Sequence, residues 1–211
     1  LKKELKPDLG DRLTPVEADF FLGGDVVNLA RALLGKVLVT SFEGERTSGI
    51  IVETEAYRAP EDKASHAYDY RRTARTEIMY DRGGHTYVYL IYGIHHLFNI
   101  VTGPEGTPHA VLIRAVEPLE NLECMIQRRK LNGPEKRLTA GPGVLSQALG
   151  IRRAHSGRLL HEGSQIWLEE DPAFQLAPEA IEAGPRVGID YAEEWVNKPW
   201  RFRVRNSPWT S

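Results

Sequence analysis

The chain has 211 residues, with 27 Lys and Arg against 29 Asp and Glu, a formal net charge of −2, 41% hydrophobic and 27% charged residues. That size and balance suit one globular domain over residues 1–211 with a sizeable core, and no apolar run approaches the ~18 residues that span a bilayer. A single cysteine, Cys124, excludes an intrachain disulfide and a cysteine-rich metal site, and the slight negative charge argues against a uniformly basic surface, so local arginine clusters carry the information about anionic partners.

Leu1 to Gly10 is charged and polar and lacks the apolar stretch of a signal peptide. The chain starts at Leu1 rather than Met, which leaves the native start open, and residues 1–12 are expected to be a flexible lead-in. Thr14-Pro15-Val16-Glu17 has the pattern of a capping box with proline in the first turn, which predicts a short helix. Asp25 is placed to cap a second helix, Val26 to Leu34, closed by Gly35. Lys36–Phe42 and Gly49–Tyr57 alternate and are rich in β-branched residues, so they predict two strands joined by a polar turn.

Arg58 to Arg82 is polar and irregular, and loops of that length in compact domains often carry function. It contains the cluster Arg71, Arg72 and Arg75. Strands are expected at Thr86–Tyr92, His96–Thr102 and Ala110–Val116, then helices at Pro118–Leu131 and Gly143–Leu149. Cys124 falls in the first of these helices and reads as a packing residue rather than a nucleophile. Gln165–Glu169, Arg186–Tyr191 and Arg201–Val204 look like late strands. The clusters Arg128-Arg129-Lys130 and Arg201, Arg203, Arg205 read as solvated faces. This order of elements predicts an α+β fold with a mainly antiparallel sheet.

Two segments carry candidate chemistry. In Ile51-Val52-Glu53-Thr54-Glu55-Ala56-Tyr57, residues two apart share a strand face, so Glu53, Glu55 and Tyr57 point one way and Val52, Thr54 and Ala56 the other. The carboxylate face is either a solvent-exposed edge or a site beside the long loop. In Thr86-Tyr87-Val88-Tyr89-Leu90-Ile91-Tyr92-Gly93, Tyr89 and Tyr92 have opposite parity, and Gly93 permits a sharp turn that re-aims Tyr92 outward. Ordinary core and cross-strand packing is the alternative for the three tyrosines.

These residues resemble the alkyladenine (3-methyladenine) DNA glycosylases. Matching segments run in order from about residue 20 to 209: Leu29-Ala30-Arg31, Ile51 to Tyr57, Pro60-Glu61-Asp62 with His66, Tyr87 to Gly93, Asn99-Ile100, Leu112-Ile113-Arg114-Ala115, Arg186-Val187-Gly188, and Ser207-Pro208-Trp209. The resemblance implies a compact domain with a curved, mainly antiparallel sheet flanked by helices and a protruding β-hairpin that intercalates into DNA. It implies hydrolysis of the N-glycosylic bond of alkylated or deaminated purines in double-stranded DNA, by a monomer without cofactor or metal. Glu55 is then the general base, helped by the Arg114 side chain and the Val187 carbonyl. Tyr57, His66, Tyr89 and Asn99 form the base pocket, Tyr92 fills the gap left by the flipped nucleotide, and Arg71, Thr73, Arg75 and Gly93 approach DNA. A strand-cleaving lysine mechanism is not implied. His95 and His96 depart from the bulky apolar or aromatic residues of vertebrate members, and the low net charge predicts a shallower salt dependence of binding. The implied location is the cytoplasm, at the nucleoid, for a bacterial chain, or the nucleus for a eukaryotic one, with no membrane partner.

Two rivals stand beside this reading. Glu53, Glu55, His66, His95, His96 and His109 are potential ligands for a metal-dependent hydrolase, although no HExxH-like spacing occurs. A lesion-binding module without catalysis is the other.

Overall fold

The structure is a computed structural model that describes residues 13–172 and 174–211; the lead-in expected at residues 1–12 lies outside the described residues. Thr14–Pro15 form a two-residue strand, β1, and not a helical first turn. They pair with Glu170 and Glu169, and the Val16 N–H donates to the Leu168 carbonyl at 2.9 Å. An outer strand tolerates proline, and these ladder bonds outweigh the local capping preference. Helical turns follow only as a 3-10 segment, Ala18–Leu22.

Helix α1 (Val26–Ala32) starts where expected, because the Asp25 carboxylate accepts from the N–H groups of Val27 and Asn28. The Gly35 N–H then donates to the Ile51 carbonyl at 2.9 Å, which ties the helix exit to the sheet. Strands β2 (Val37–Phe42) and β3 (Glu45–Arg58) are joined by Glu43 and Gly44. Both have positive φ, 56° and 83°, the backbone of a two-residue hairpin turn whose twist matches the strands. β3 therefore begins four residues before the expected Gly49.

Residues 59–85 contain two 3-10 turns, Tyr68–Tyr70 and Glu77–Tyr80. Strands β4 (Thr86–Ile91), β5 (His95–Thr102) and β6 (His109–Glu120) come next. β6 continues through Pro118, where a helix is expected from the composition. Pro118 pairs with Gly49 at a register slip in β3, a position where a missing N–H is tolerated. A Cβ on Gly49 would sit 2.7 Å from a Val116 methyl, so glycine permits this close approach. Helix α2 (Leu122–Arg129) begins only after Asn121, whose side chain accepts from the Cys124 N–H, and Cys124 itself is half-buried. Helix α3 (Pro142–Ala148) and strands β7 (Ile166–Glu170), β8 (Ile181–Gly184) and β9 (Arg201–Val204) complete the described elements. The strand expected at Arg186–Tyr191 is a loop, and the neighbouring strand is β8.

The result is an α+β domain built on an open, antiparallel nine-stranded sheet. Its order is β1-β7-β2-β3-β6-β5-β4, with β9 between β3 and β8. β3 organises the sheet. Along Glu45–Ile50 its outer partner is β2, and along Glu53–Glu55 it is β9. At that handover the register with β6 slips on both sides of Glu53, and Arg114 is the extra residue on the β6 side. Such bulges re-aim side chains. The two faces of β3 divide as their parity predicts. Val52 and Ala56 join Leu29, Phe98, Ile113 and Phe202 in the main core, and the Thr54 hydroxyl donates to the Ala30 carbonyl at 2.7 Å.

Candidate active site

The opposite face of the sheet forms a cavity of about 340 Å³. Strand register explains its floor. Glu55 on β3 pairs with Leu112 on β6, Leu112 with Asn99 on β5, and Asn99 with Tyr87 on β4. Residues directly opposite one another project to the same face, so one row across four strands delivers Glu55, Leu112, Asn99 and Tyr87 to the cavity. The next row brings Tyr57 opposite Ala110, and Tyr89 lies opposite Leu97. The segments 64–66 and 187–191 form the other wall.

Glu53 and Glu55 are both fully buried, so their face is not a solvent edge. They differ in what surrounds them. Glu53 is saturated with partners: Arg114 Nε at 2.8 Å and Arg201 Nε at 2.7 Å on Oε1, the Ser211 hydroxyl at 2.9 Å on Oε1, and the Ser211 N–H at 2.6 Å on Oε2. Burial alone would raise its pKa, but the Ser211 N–H and the Arg114 and Arg201 charges outweigh burial and hold it below the usual carboxylate value.

Glu55 borders the cavity. Its Oε1 accepts the Val187 N–H at 2.8 Å and faces Arg114 Nη1 at 3.3 Å, while Oε2 accepts only the Tyr57 hydroxyl, at 2.8 Å, among the described residues. Burial first, and the Glu55 carboxylate next, push the Tyr57 phenol well above its ordinary pKa, so it stays protonated and donates. A carboxylate oxygen has room for a second donor, and Oε2 keeps that capacity beside the open space.

Three rings frame the cavity. His66 Nδ1 lies 2.7 Å from the Tyr87 hydroxyl, and the His66 ring meets Tyr89 edge-on at 4.7 Å. Burial, then Arg75 and Arg71, lower the His66 pKa to about 4, so the ring is neutral at pH 7. Burial raises Tyr89 to about 12, with the Glu55 charge as the next cause. Asn99 spends its amide protons on the carbonyls of Tyr87 and Leu97, at 3.1 and 3.3 Å.

Tyr92 stands at the cavity margin on the turn between β4 and β5. It is 85% exposed, and its neighbour Ile94 is 70% exposed. Tyr92 and Gly93 both have positive φ, 53° and 72°. Arg71, Thr73 and Arg75 are exposed on the long loop outside the cavity. Arg72, their neighbour, is neutralised by Glu77 at 2.8 Å.

Several site residues escape sequence reasoning. Arg186 and Asp62 form a fully buried ion pair with contacts of 2.5 and 2.8 Å. Arg186 also donates to the Ala56 carbonyl at 2.9 Å and lies 4.8 Å over the Tyr57 ring. This pull on residue 186, with Gly188 at φ 73°, turns the segment into a loop and aims the Val187 N–H at Glu55. Arg201, first read as part of a solvated face, belongs to the Glu53 cluster, and Arg203 and Arg205 both pair with Glu182. Tyr87 was within reach of a parity argument, since it lies two residues from Tyr89. Among the described residues, no group of three His, Cys, Asp or Glu side chains is placed to hold a metal ion. His95 packs against Gly143, and His96 Nδ1 accepts the Arg153 N–H at 3.1 Å.

Comparison with known proteins adds an independent line. The family profile for methylpurine-DNA glycosylase matches residues 19–208. A Chlamydia felis protein provisionally named 3-methyladenine DNA glycosylase is 52% identical over 184 residues, covering 87% of this chain and 92% of the relative. A Bacillus cereus (strain G9842) protein with the same provisional name is 46% identical over 198 residues, covering 90% of this chain and 96% of its own.

Proposed function

The chain belongs to the methylpurine-DNA glycosylase family, and from that membership we propose that it releases alkylated purines such as 3-methyladenine from double-stranded DNA, with Glu55 activating the water that displaces the base. Deaminated purines fall within the same reading. A purine within a duplex is out of reach, so the nucleotide leaves the stack at a cost of a few kcal/mol. Stacking on Tyr57 and Tyr89 returns about 1–3 kcal/mol per base. A cationic methylated purine gains a further ~0.5–2 kcal/mol from the electron-rich rings, and a neutral His66 adds no opposing charge. Tyr92 on the β4–β5 turn is the proposed plug for the vacated stack, with Arg71, Thr73, Arg75 and Gly93 beside the DNA.

Bond cleavage leaves an oxocarbenium-like sugar. The Glu55 carboxylate stabilises that charge and accepts a proton from the attacking water through Oε2. Arg114 and the Val187 N–H hold Oε1, and the Val187 carbonyl is proposed as a second contact to the water. The protein acts as a monomer, in the cytoplasm at the bacterial chromosome.

The observation that carries this reading is the division of labour on β3: Glu53 is saturated, whereas Glu55 alone of the pair borders the ring-lined cavity. Chromatography of bases released from a methylated duplex tests it. The unaltered protein releases methylpurine, and Glu55→Gln releases none over the same interval. Release at an ordinary rate by that variant removes Glu55 from the mechanism.

A further inference from the structure

A second concavity, of about 500 Å³, adjoins the cavity through Tyr89, which borders both. Arg75 stands on one of its walls and Arg153 on the other. We propose that this groove seats the sugar–phosphate backbone beside the flipped nucleotide, with Arg153 on its wall across from Arg75 and the exposed Arg152 and Arg158, which flank that lining segment in the chain, extending the phosphate-binding surface. The proposal rests on the DNA glycosylase reading above and assigns it a surface.

The pattern of arginine pairing carries the inference. Arg46, Arg58, Arg72, Arg82 and Arg137 each have a carboxylate within 3.2 Å. Arg152, Arg153 and Arg158 are exposed and have no carboxylate partner among the described residues. Arg31, Arg128 and Arg129 also lack a carboxylate, but Arg31 lies 4.6 Å over the Phe202 ring, and Arg128 and Arg129 donate to the side chains of Thr47 and Gln147 and to backbone carbonyls, whereas the guanidinium groups of Arg152, Arg153 and Arg158 have no such engagement among the described residues. Two carboxylates line the groove. Glu77 is taken by Arg72, and Asp81 is outnumbered by the arginines around it.

The wall is also rigid. Residues 155–158 are laced along the outer edge of β4: the Thr86 N–H donates to the Arg158 carbonyl at 2.8 Å, the Gly157 N–H to the Thr86 carbonyl at 2.8 Å, and the Val88 N–H to the Ser156 hydroxyl at 3.1 Å. The His155 ring stacks on Phe42 at 4.4 Å, and its Nδ1 accepts the Arg152 N–H at 3.0 Å. His96 Nδ1 receives the Arg153 N–H in the same way. Both nitrogens act as acceptors, which requires neutral rings, and burial with nearby arginines lowers both histidine pKa values. The wall's charge is therefore permanent guanidinium charge on a fixed backbone, the arrangement suited to positioning phosphates without reading sequence.

The test is a salt titration of duplex binding, followed by fluorescence anisotropy, for the unaltered protein, the triple variant Arg152→Gln/Arg153→Gln/Arg158→Gln, and Arg137→Gln as a paired-arginine control. Each lost phosphate contact lowers the log–log slope by about 0.9, so the triple variant loses up to ~2.7 and weakens equally on damaged and undamaged duplex. The control keeps the original slope, and Arg153→Lys restores part of the loss. An unchanged slope in a folded triple variant overturns the wall while leaving the functional reading intact. Failure of the unaltered protein to bind any duplex overturns both.

Discussion

The carboxylate corner of β3 and the tip of the β4–β5 turn are opposite kinds of structure serving one cavity. At the corner, donors from β6, β9 and the 186–188 loop converge on two buried glutamates, and each carboxylate oxygen has a partner. At the tip, a tyrosine sits in left-handed backbone with most of its ring in solvent and Ile94 exposed beside it. Preorganised charge must be set before the reaction and shielded from water. In the role proposed for Tyr92, a wedge for a base stack gains its contacts only when DNA arrives and stays unpartnered until then.

The sharpest way to break this comparison is at the corner itself. Glu55→Gln keeps the size and hydrogen-bonding shape of the side chain, so folding stability should change by less than ~1 kcal/mol. General-base catalysis is worth about 10²–10⁴ in rate, and single-turnover excision should fall by at least that much while lesion binding persists. A variant that loses binding and folding together with excision would make the corner a packing feature.

Glu53→Gln should reverse the pattern. It leaves Arg201 without its carboxylate and Arg114 with Glu55 alone, and breaking such a cluster costs about 3–5 kcal/mol. Urea unfolding reads the loss directly. If the variant is as stable as the parent but fails in base release, Glu53 takes part in the chemistry and the assignment between the two carboxylates is wrong.

How far the site is legible in the sequence follows from the range of its contacts. The Asp25 cap and the parity of Glu53, Glu55 and Tyr57 depend on residues within a few positions of one another, and both were readable. The burial of Glu53 was not, because Arg201 and Ser211 lie 148 and 158 residues away. Pro118 reads as a helix start until β3 pairs with it through Gly49 beside a bulge at Leu119, and Arg186 reads as strand until Asp62, 124 residues away, draws it inward. The role proposed for Glu55 rests on the resemblance to a family, since spacing alone leaves both carboxylates open.

A smaller effect separates the cavity's rings from the corner by pH. His66 titrates near about 4 in the folded protein and near ~6.5 when unfolded. As pH falls below ~6.5 the unfolded chain takes up a proton that the native ring refuses, so stability drops until the folded pKa is passed. Glu53, with its folded pKa lowered, contributes stability that is present above ~4.3 and lost only below that value. Between pH 7 and 5 the His66 contribution is therefore separable, and it amounts to about 2 kcal/mol at ~1.4 kcal/mol per pH unit. His66→Gln should show that much less loss over this interval in urea unfolding. Parallel curves for the two proteins would mean that the ring is not held neutral by its surroundings.

The tip should yield the smallest change, with the opposite sign. Nothing lies within 4 Å of a Cβ built on Gly93, so space does not restrict this turn; its backbone conformation does. A non-glycine residue in left-handed backbone carries about 1–2 kcal/mol of strain, and glycine at position 92 removes it. Glycine also frees the unfolded chain, which takes back roughly 0.4–1 kcal/mol. Tyr92→Gly should thus be as stable as the parent or more stable by up to ~1.6 kcal/mol in thermal unfolding, while its hold on a lesion duplex weakens. A corner residue cannot behave this way, because replacing either glutamate by glycine leaves its buried donors unmet. If Tyr92→Gly were clearly destabilised, the tyrosine would be packing against its own protein, and the tip would lose its standing as a surface kept open for DNA.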